Sequence, residues 1–116
     1  MCVVLYVPVY WNCPEIIGSV EAEEYVEAVL VVVERIPRGR VTTYGAIADH
    51  VGFGGPRRVG RVMSQFGGPV PWWRVVRADG SLPPSHDDEA VAHYLDEGTP
   101  LRSSGRVHIA AAFWQP

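Results

Sequence analysis

A mainly helical domain with a small β wing, the winged helix-turn-helix class, is predicted by three observations. Two short helical patterns, residues 44–50 and 56–66, flank the glycine-rich stretch Gly52-Phe53-Gly54-Gly55. The second pattern is amphipathic, with Val59, Val62, Met63 and Phe66 at helical spacing and arginines on its outer side. An extended run, Trp73 to Val76, then leads to Asp79-Gly80, a tight-turn dipeptide that would make a small wing. At 116 residues and 47% hydrophobic, the chain holds one domain, read as 19–116 and preceded by an arm, 1–18.

Taken in order, Val3 to Tyr10 has strand composition broken by Pro8, which suits an edge strand or an extended arm. Ser19 is placed as the N-cap of the first helix, with Glu21, Glu23 and Glu24 favourable beside its N-terminus. Ala22, Val26, Val29, Leu30 and Val33 form its apolar face as far as Arg35. Ile36 to Arg40 breaks the helix at Pro37 and Gly39. Either Thr42 or Thr43 can cap the next helix, which faces Ile47, Ala48 and Val51 inward and stops at Gly52. Gly55 is expected as N-cap of the following helix, with Pro56 at its first position and Gly67-Gly68 at its end. Pro69-Val70-Pro71 is stiff and presents Trp72 and Trp73. After the wing, Asp87 starts a helix to Glu97 with Val91, Tyr94 and Leu95 inward and Gly98 as C-cap. The final apolar stretch, Arg106 to Trp114, is expected to be a strand that closes the core.

Charge is distributed unevenly. The net value is −3, yet residues 37–80 hold seven arginines against two aspartates, between two acidic ends. A basic middle on a small acidic domain suits a DNA-facing surface. All ten basic residues are arginine, which contacts phosphates and bases bidentately where lysine does not. Cys2 and Cys13 lie eleven residues apart with no histidine nearby, so they form no metal pattern and suit a reducing cytosol. No apolar run reaches membrane-spanning length, and the apolar residues 2–10 lack the basic flank of a signal peptide.

No catalytic set is legible. Neither cysteine falls in the arginine-rich segment, and His50, His86, His93 and His108 are scattered. His86 with Asp87, Asp88 and Glu89 has no metal-site spacing, and a helix N-terminus accounts for those acids. No cofactor and no metal are expected. An arginine-faced helix followed by paired aromatics favours binding of nucleic acid instead, with charge for phosphates and flat rings for bases.

Three ordered motifs then carry a family resemblance. Ile36-Pro37-Arg38-Gly39-Arg40-Val41-Thr42-Thr43-Tyr44, Pro56-Arg57-Arg58-Val59-Gly60 and Pro71-Trp72-Trp73-Arg74-Val75-Val76 resemble the DNA-binding domain of O6-alkylguanine-DNA alkyltransferases. In those enzymes the third motif reads Pro-Cys-His-Arg-Val and the cysteine accepts the alkyl group. Trp72 stands at the cysteine's place, which is the mark of the alkyltransferase-like proteins. Indole has no thiolate, so self-alkylation there is excluded chemically.

The resemblance implies recognition of O6-alkylguanine in double-stranded DNA by nucleotide flipping, without alkyl transfer. By the same resemblance Tyr44 presses on the backbone, Arg57 is the finger that fills the vacated space, and Trp72 walls the lesion pocket. Thr43, Arg58, Gly60 and Arg61 lie on the implied DNA face, with Gly60 allowing close approach. Gly80, Ser81 and His86 belong to the implied lid. Nucleotide excision repair proteins are the implied partners, and a cytoplasmic monomer is expected. Trp73 replaces the family's histidine, and its N–H is expected to donate to Glu97 at the place of the family's glutamate. Core roles for Trp72, Trp73 and Tyr44, and a surface ion pair for Arg57, are the structural alternatives. A winged-helix regulator of undamaged DNA is the alternative function.

Overall fold

The computed structural model describes residues 14–82 and 87–116. Its elements are α1 (Pro14–Arg35), β1 (Thr42–Thr43), α2 (Tyr44–Val51), α3 (Gly55–Phe66), a 3-10 turn (Trp72–Arg74), β2 (Val75–Val76), α4 (Asp87–Glu97) and α5 (Ile109–Ala112). The expected strand over residues 3–10 and the cysteine pair at 2 and 13 lie outside the described residues. Helix α1 begins at Pro14, so Ser19 sits inside it and is not the N-cap.

Helix α1 buries Tyr25, Val29, Val32 and Val33, with Ile36 buried just after its end, while Ala22 is exposed. The apolar stripe is therefore rotated from the expected one, because Tyr25 supplies far more burial area than Ala22. Ile47 and Ala48 of α2 and Val59 and Val62 of α3 meet this face, together with Val70 and Val75. Thr43 caps α2, its Oγ1 accepting from the Ala46 N–H at 3.0 Å. Gly52 closes the helix with φ 101°. Gly54, one residue before the expected Gly55, is the N-cap of α3 and has φ 93°. A Cβ there would lie 2.5 Å from the Tyr25 hydroxyl, so glycine is required twice over.

The sheet is a two-stranded parallel pair, with Thr42 opposite Val75 and Thr43 opposite Val76. Helices α2 and α3 form the crossover, as parallel strands require. Alternation on β2 sends Val75 into the α1–α2–α3 core and Val76 into a second cluster with Val41, Ala90, Tyr94, Val107 and Ala112. The Asp79-Gly80 turn forms, with Gly80 N–H donating to the Arg77 carbonyl at 2.8 Å. No strand follows it over 81–82, so β2 finds its partner in β1 and not across a wing hairpin.

Two further expectations are corrected. Leu95 is 71% exposed, while Ala90 and Tyr94 are the buried pair of α4. Glu97 points inward, and a residue two positions earlier is roughly 200° away around the helix. The C-terminal stretch is also not one strand. Val107 bridges Leu101, Ile109–Ala112 makes a helical turn, and Phe113 bridges Val41 in parallel. Three successive alanines, the best helix formers, explain the turn. It still closes the core, through Val41 N–H to the Ala112 carbonyl at 3.0 Å and Trp114 N–H to the Val41 carbonyl at 2.7 Å.

Gly80 tests this packing. It is buried with φ 85°, and an added Cβ would stand 2.3 Å from the Val107 carbonyl oxygen. Gly80→Ala is expected to lower unfolding free energy by about 2 kcal/mol or more, read by urea denaturation.

Candidate nucleic-acid interface

Helix α3 presents two different faces. Arg57, Gly60 and Ser64 share one, at i, i+3 and i+7. Arg57 is exposed, and its side chain makes no hydrogen bond or ion pair with a described residue. Gly60 has nothing within 4 Å of where a Cβ would stand, so the fold itself does not need glycine there. Neither α2 nor α3 has an acidic residue in its first turn, and Gly54 offers α3 no side-chain cap. The free N–H groups and positive dipole end of α3 thus face outward beside an arginine, an arrangement that attracts anions.

The other face of α3 turns towards α1. Arg58, Arg61, Gln65 and Phe66 line an open groove there opposite Leu30, Val31 and Glu34. The Arg58 guanidinium lies 4.2 Å from the Tyr25 ring centroid and 5.6 Å from that of Phe53. It is half-buried and stacked, whereas Arg61 is exposed on the groove rim. Neither Tyr25 nor Phe53 stands out in the sequence as a partner for Arg58.

The basic middle of the chain is not uniformly available. Arg38 pairs with Asp96 at 3.3 Å, Arg40 donates to the Ala111 carbonyl at 2.9 Å, and Arg74 is buried in an ion pair. Arg57, Arg61 and Arg77 remain exposed without such bonds to described residues. Thr43 is occupied as the α2 cap. Tyr44 follows it, half-buried against the α1–α2–α3 core. Burial pushes its phenol above the usual range, partly countered by the Arg77 cation.

Trp72 lies in the turn that feeds β2. It is half-buried, packed against the second cluster, with its ring edge-on to Trp73 at 5.6 Å and to His93 at 6.1 Å. Gly80 is fixed in the core, and Ser81 is pinned to Asp79 by its N–H at 3.0 Å and its hydroxyl at 2.6 Å. The start of the implied lid is therefore anchored, and His86 lies outside the described residues.

Behind Trp72, one carboxylate gathers four donors. Trp73 Nε1–H donates to Glu97 at 2.9 Å, as the sequence leads one to expect. Arg74 adds a two-pronged pair at 3.1 and 2.6 Å, and the Gly39 N–H donates at 3.2 Å. The third Arg74 nitrogen reaches the Ile36 carbonyl at 2.8 Å. Only 2% of the Glu97 side chain is exposed. Burial alone would raise its pKa, but hydrogen bonds from Arg74, Gly39 and Trp73 outweigh that and hold it below the usual carboxylate range. Tyr94 completes the hold by donating its hydroxyl to the Trp73 carbonyl.

A depressed carboxylate stabilises the fold above its unfolded-chain pKa, and that stabilisation disappears as pH falls through the folded value. Glu97→Gln is accordingly expected to cost about 3 kcal/mol near neutrality. It should also flatten the loss of stability between neutral pH and about pH 3, read from urea midpoints at stepped pH.

The family model for the 6-O-methylguanine DNA methyltransferase DNA-binding domain matches residues 24–97. A Vibrio parahaemolyticus protein named DNA base-flipping protein is 30% identical over 81% of this chain and 99% of its own length. An Escherichia coli K12 protein of the same name is 31% identical over 79% of this chain and 75% of its own. Among solved structures, S. pombe Atl1 in complex with damaged DNA containing O6-carboxymethylguanine superposes with a TM-score of 0.70 at 28% identity. That match covers 81% of this chain and 97% of Atl1. The described fold, mainly helical with a two-stranded sheet, matches that of Atl1, and the chain belongs to the family of the 6-O-methylguanine DNA methyltransferase DNA-binding domain.

Proposed function

We propose that this chain recognises O6-alkylguanine in duplex DNA by flipping the damaged nucleotide, and transfers no alkyl group. The observation that carries this reading is Trp72. In the alkyltransferase motif that Pro71 to Val76 resembles, the acceptor thiol stands at that place, and this chain has a half-buried indole. Relatives named for base flipping, and Atl1 crystallised with damaged DNA, support the same activity. Damage weakens pairing and stacking, which lowers the few kcal/mol needed to extrude a base.

The roles follow from exposure. Arg57, at the open end of α3, enters the stack and fills the gap, and the outward N–H groups beside it hold phosphate. Gly60 lets the duplex approach the helix closely, since no described residue uses that space. Trp72 forms a wall of the base pocket, Tyr44 presses on the backbone from the start of α2, and Thr43 holds Tyr44 in place as its cap. Arg61 reaches phosphate from the rim. Arg58 serves DNA indirectly by fixing α3 on Tyr25 and Phe53. Gly80 and Ser81 form the anchored start of the implied lid. The protein acts as a monomer whose stable lesion complex is handed to nucleotide excision repair proteins. Among the described residues no helix is long and apolar enough to cross a membrane.

Paired titrations of an O6-methylguanine duplex and its undamaged counterpart, at one stated salt concentration, test the reading. Preference for the lesion with no added alkyl mass on the protein is expected; equal affinity, or an alkylated protein, refutes it. Arg57→Ala is expected to weaken lesion binding about tenfold or more while leaving the melting temperature unchanged. Gly60→Ala is expected to separate stability from binding. It should stabilise the fold by about 0.5–1 kcal/mol, because alanine is the better helix former and has room. The same methyl should weaken DNA binding.

A further inference from the structure

We infer that His93 is a positioning residue for lesion recognition, holding the pair of tryptophans that the loss of the family's histidine motif leaves behind. The inference rests on the reading of Trp72 as a pocket wall. His93 lies flat on Trp73, with ring centroids 3.6 Å apart and planes inclined by 3°. Trp72 meets both members of that stack edge-on, at 85° to Trp73 and 84° to His93. The three rings thus form one unit, with His93 and Trp73 as a two-layer face and Trp72 standing across it.

Helix α4 supplies the grip. His93 and Glu97 are four residues apart and therefore on one side of the helix. One turn holds the Trp73 ring face through His93, and the next holds its N–H through Glu97 at 2.9 Å. The Tyr94 hydroxyl takes the Trp73 carbonyl between them. On the ring's other contacts, the Arg74 guanidinium is 5.6 Å from the Trp73 centroid. With indole N–H, carbonyl and ring all held by α4, Trp73 is a fixed block, and Trp72 packs edge-on against that block and against His93. Among the described residues, His93 meets the implied site through these rings. Its effect falls on the shape of the base pocket and spares the Arg57 face of α3.

His93→Ala and His93→Phe test this, because phenylalanine keeps a flat ring and alanine does not. In the DNA-free protein, the order parameter of the Trp72 indole N–H should fall in His93→Ala and recover in His93→Phe. With matched duplexes, the ratio of O6-methylguanine to undamaged affinity should drop roughly three- to tenfold in His93→Ala and return in His93→Phe. Affinity for the undamaged duplex should stay as in the parent. An unchanged Trp72 order parameter in His93→Ala overturns the inference, as does an intact lesion ratio in a variant whose Trp72 has loosened. Absence of lesion preference in the parent protein would instead overturn the damage-recognition reading, while the order parameter still decides the positioning.

Discussion

The carboxylate of Glu97 joins three parts of the chain that are distant in sequence. It accepts from Gly39 in the loop after α1, from Trp73 and Arg74 ahead of β2, and it stands at the end of α4. Arg74 carries the tie back to the Ile36 carbonyl. A buried ion pair contributes little net stability, since desolvation offsets attraction. Its strength here is geometric. With all donors satisfied, the pair admits one arrangement of turn, loop and helix, and a shift of any one would strand a buried charge.

That constraint explains the position of the aromatic site. Between β1 and β2 only two residues on each side pair, too short a ladder to fix the preceding turn alone. The Arg74–Glu97 lock holds Trp72–Arg74 against α4, and the parallel pairing sets Thr43 beside Val76. The aromatic turn is thereby set beside the loop that precedes β1, and the start of α2 beside the end of β2. Helix α3, joined to α2 through Gly52 to Gly55, adds its exposed arginine face. The Trp73 indole N–H is one of the donors that tie this turn to Glu97, so the aromatic pair is held by the same carboxylate as the loop after α1.

Local signals in the sequence were reliable where one residue decides an outcome. Thr43 and Gly52 bound α2 because a hydroxyl cap and a left-handed glycine act over a few residues. The α3 stripe was legible for Val59 and Val62, and Trp73 with Glu97 was legible through motif order. Charge counting was less informative. Arg38, Arg40 and Arg74 share the basic segment with Arg57, yet each is bound to a carbonyl or carboxylate supplied from far along the chain. His93 was unremarkable as one of four scattered histidines, because its ring acquires a partner only when α4 packs on the turn.

The sequence by itself determined the mainly helical class, the helix-turn-helix with its glycine boundaries and the family motifs. These depend on spacing and on the chemistry of single side chains. Only the tertiary structure decided that β2 pairs with β1 and not across the Asp79-Gly80 turn. It also decided that the last apolar segment coils into a helical turn, and that Arg58 stacks on Tyr25 while Arg57 stays open. Each of these outcomes is a choice between partners of similar local merit, and it is settled by which surfaces the long-range packing buries together.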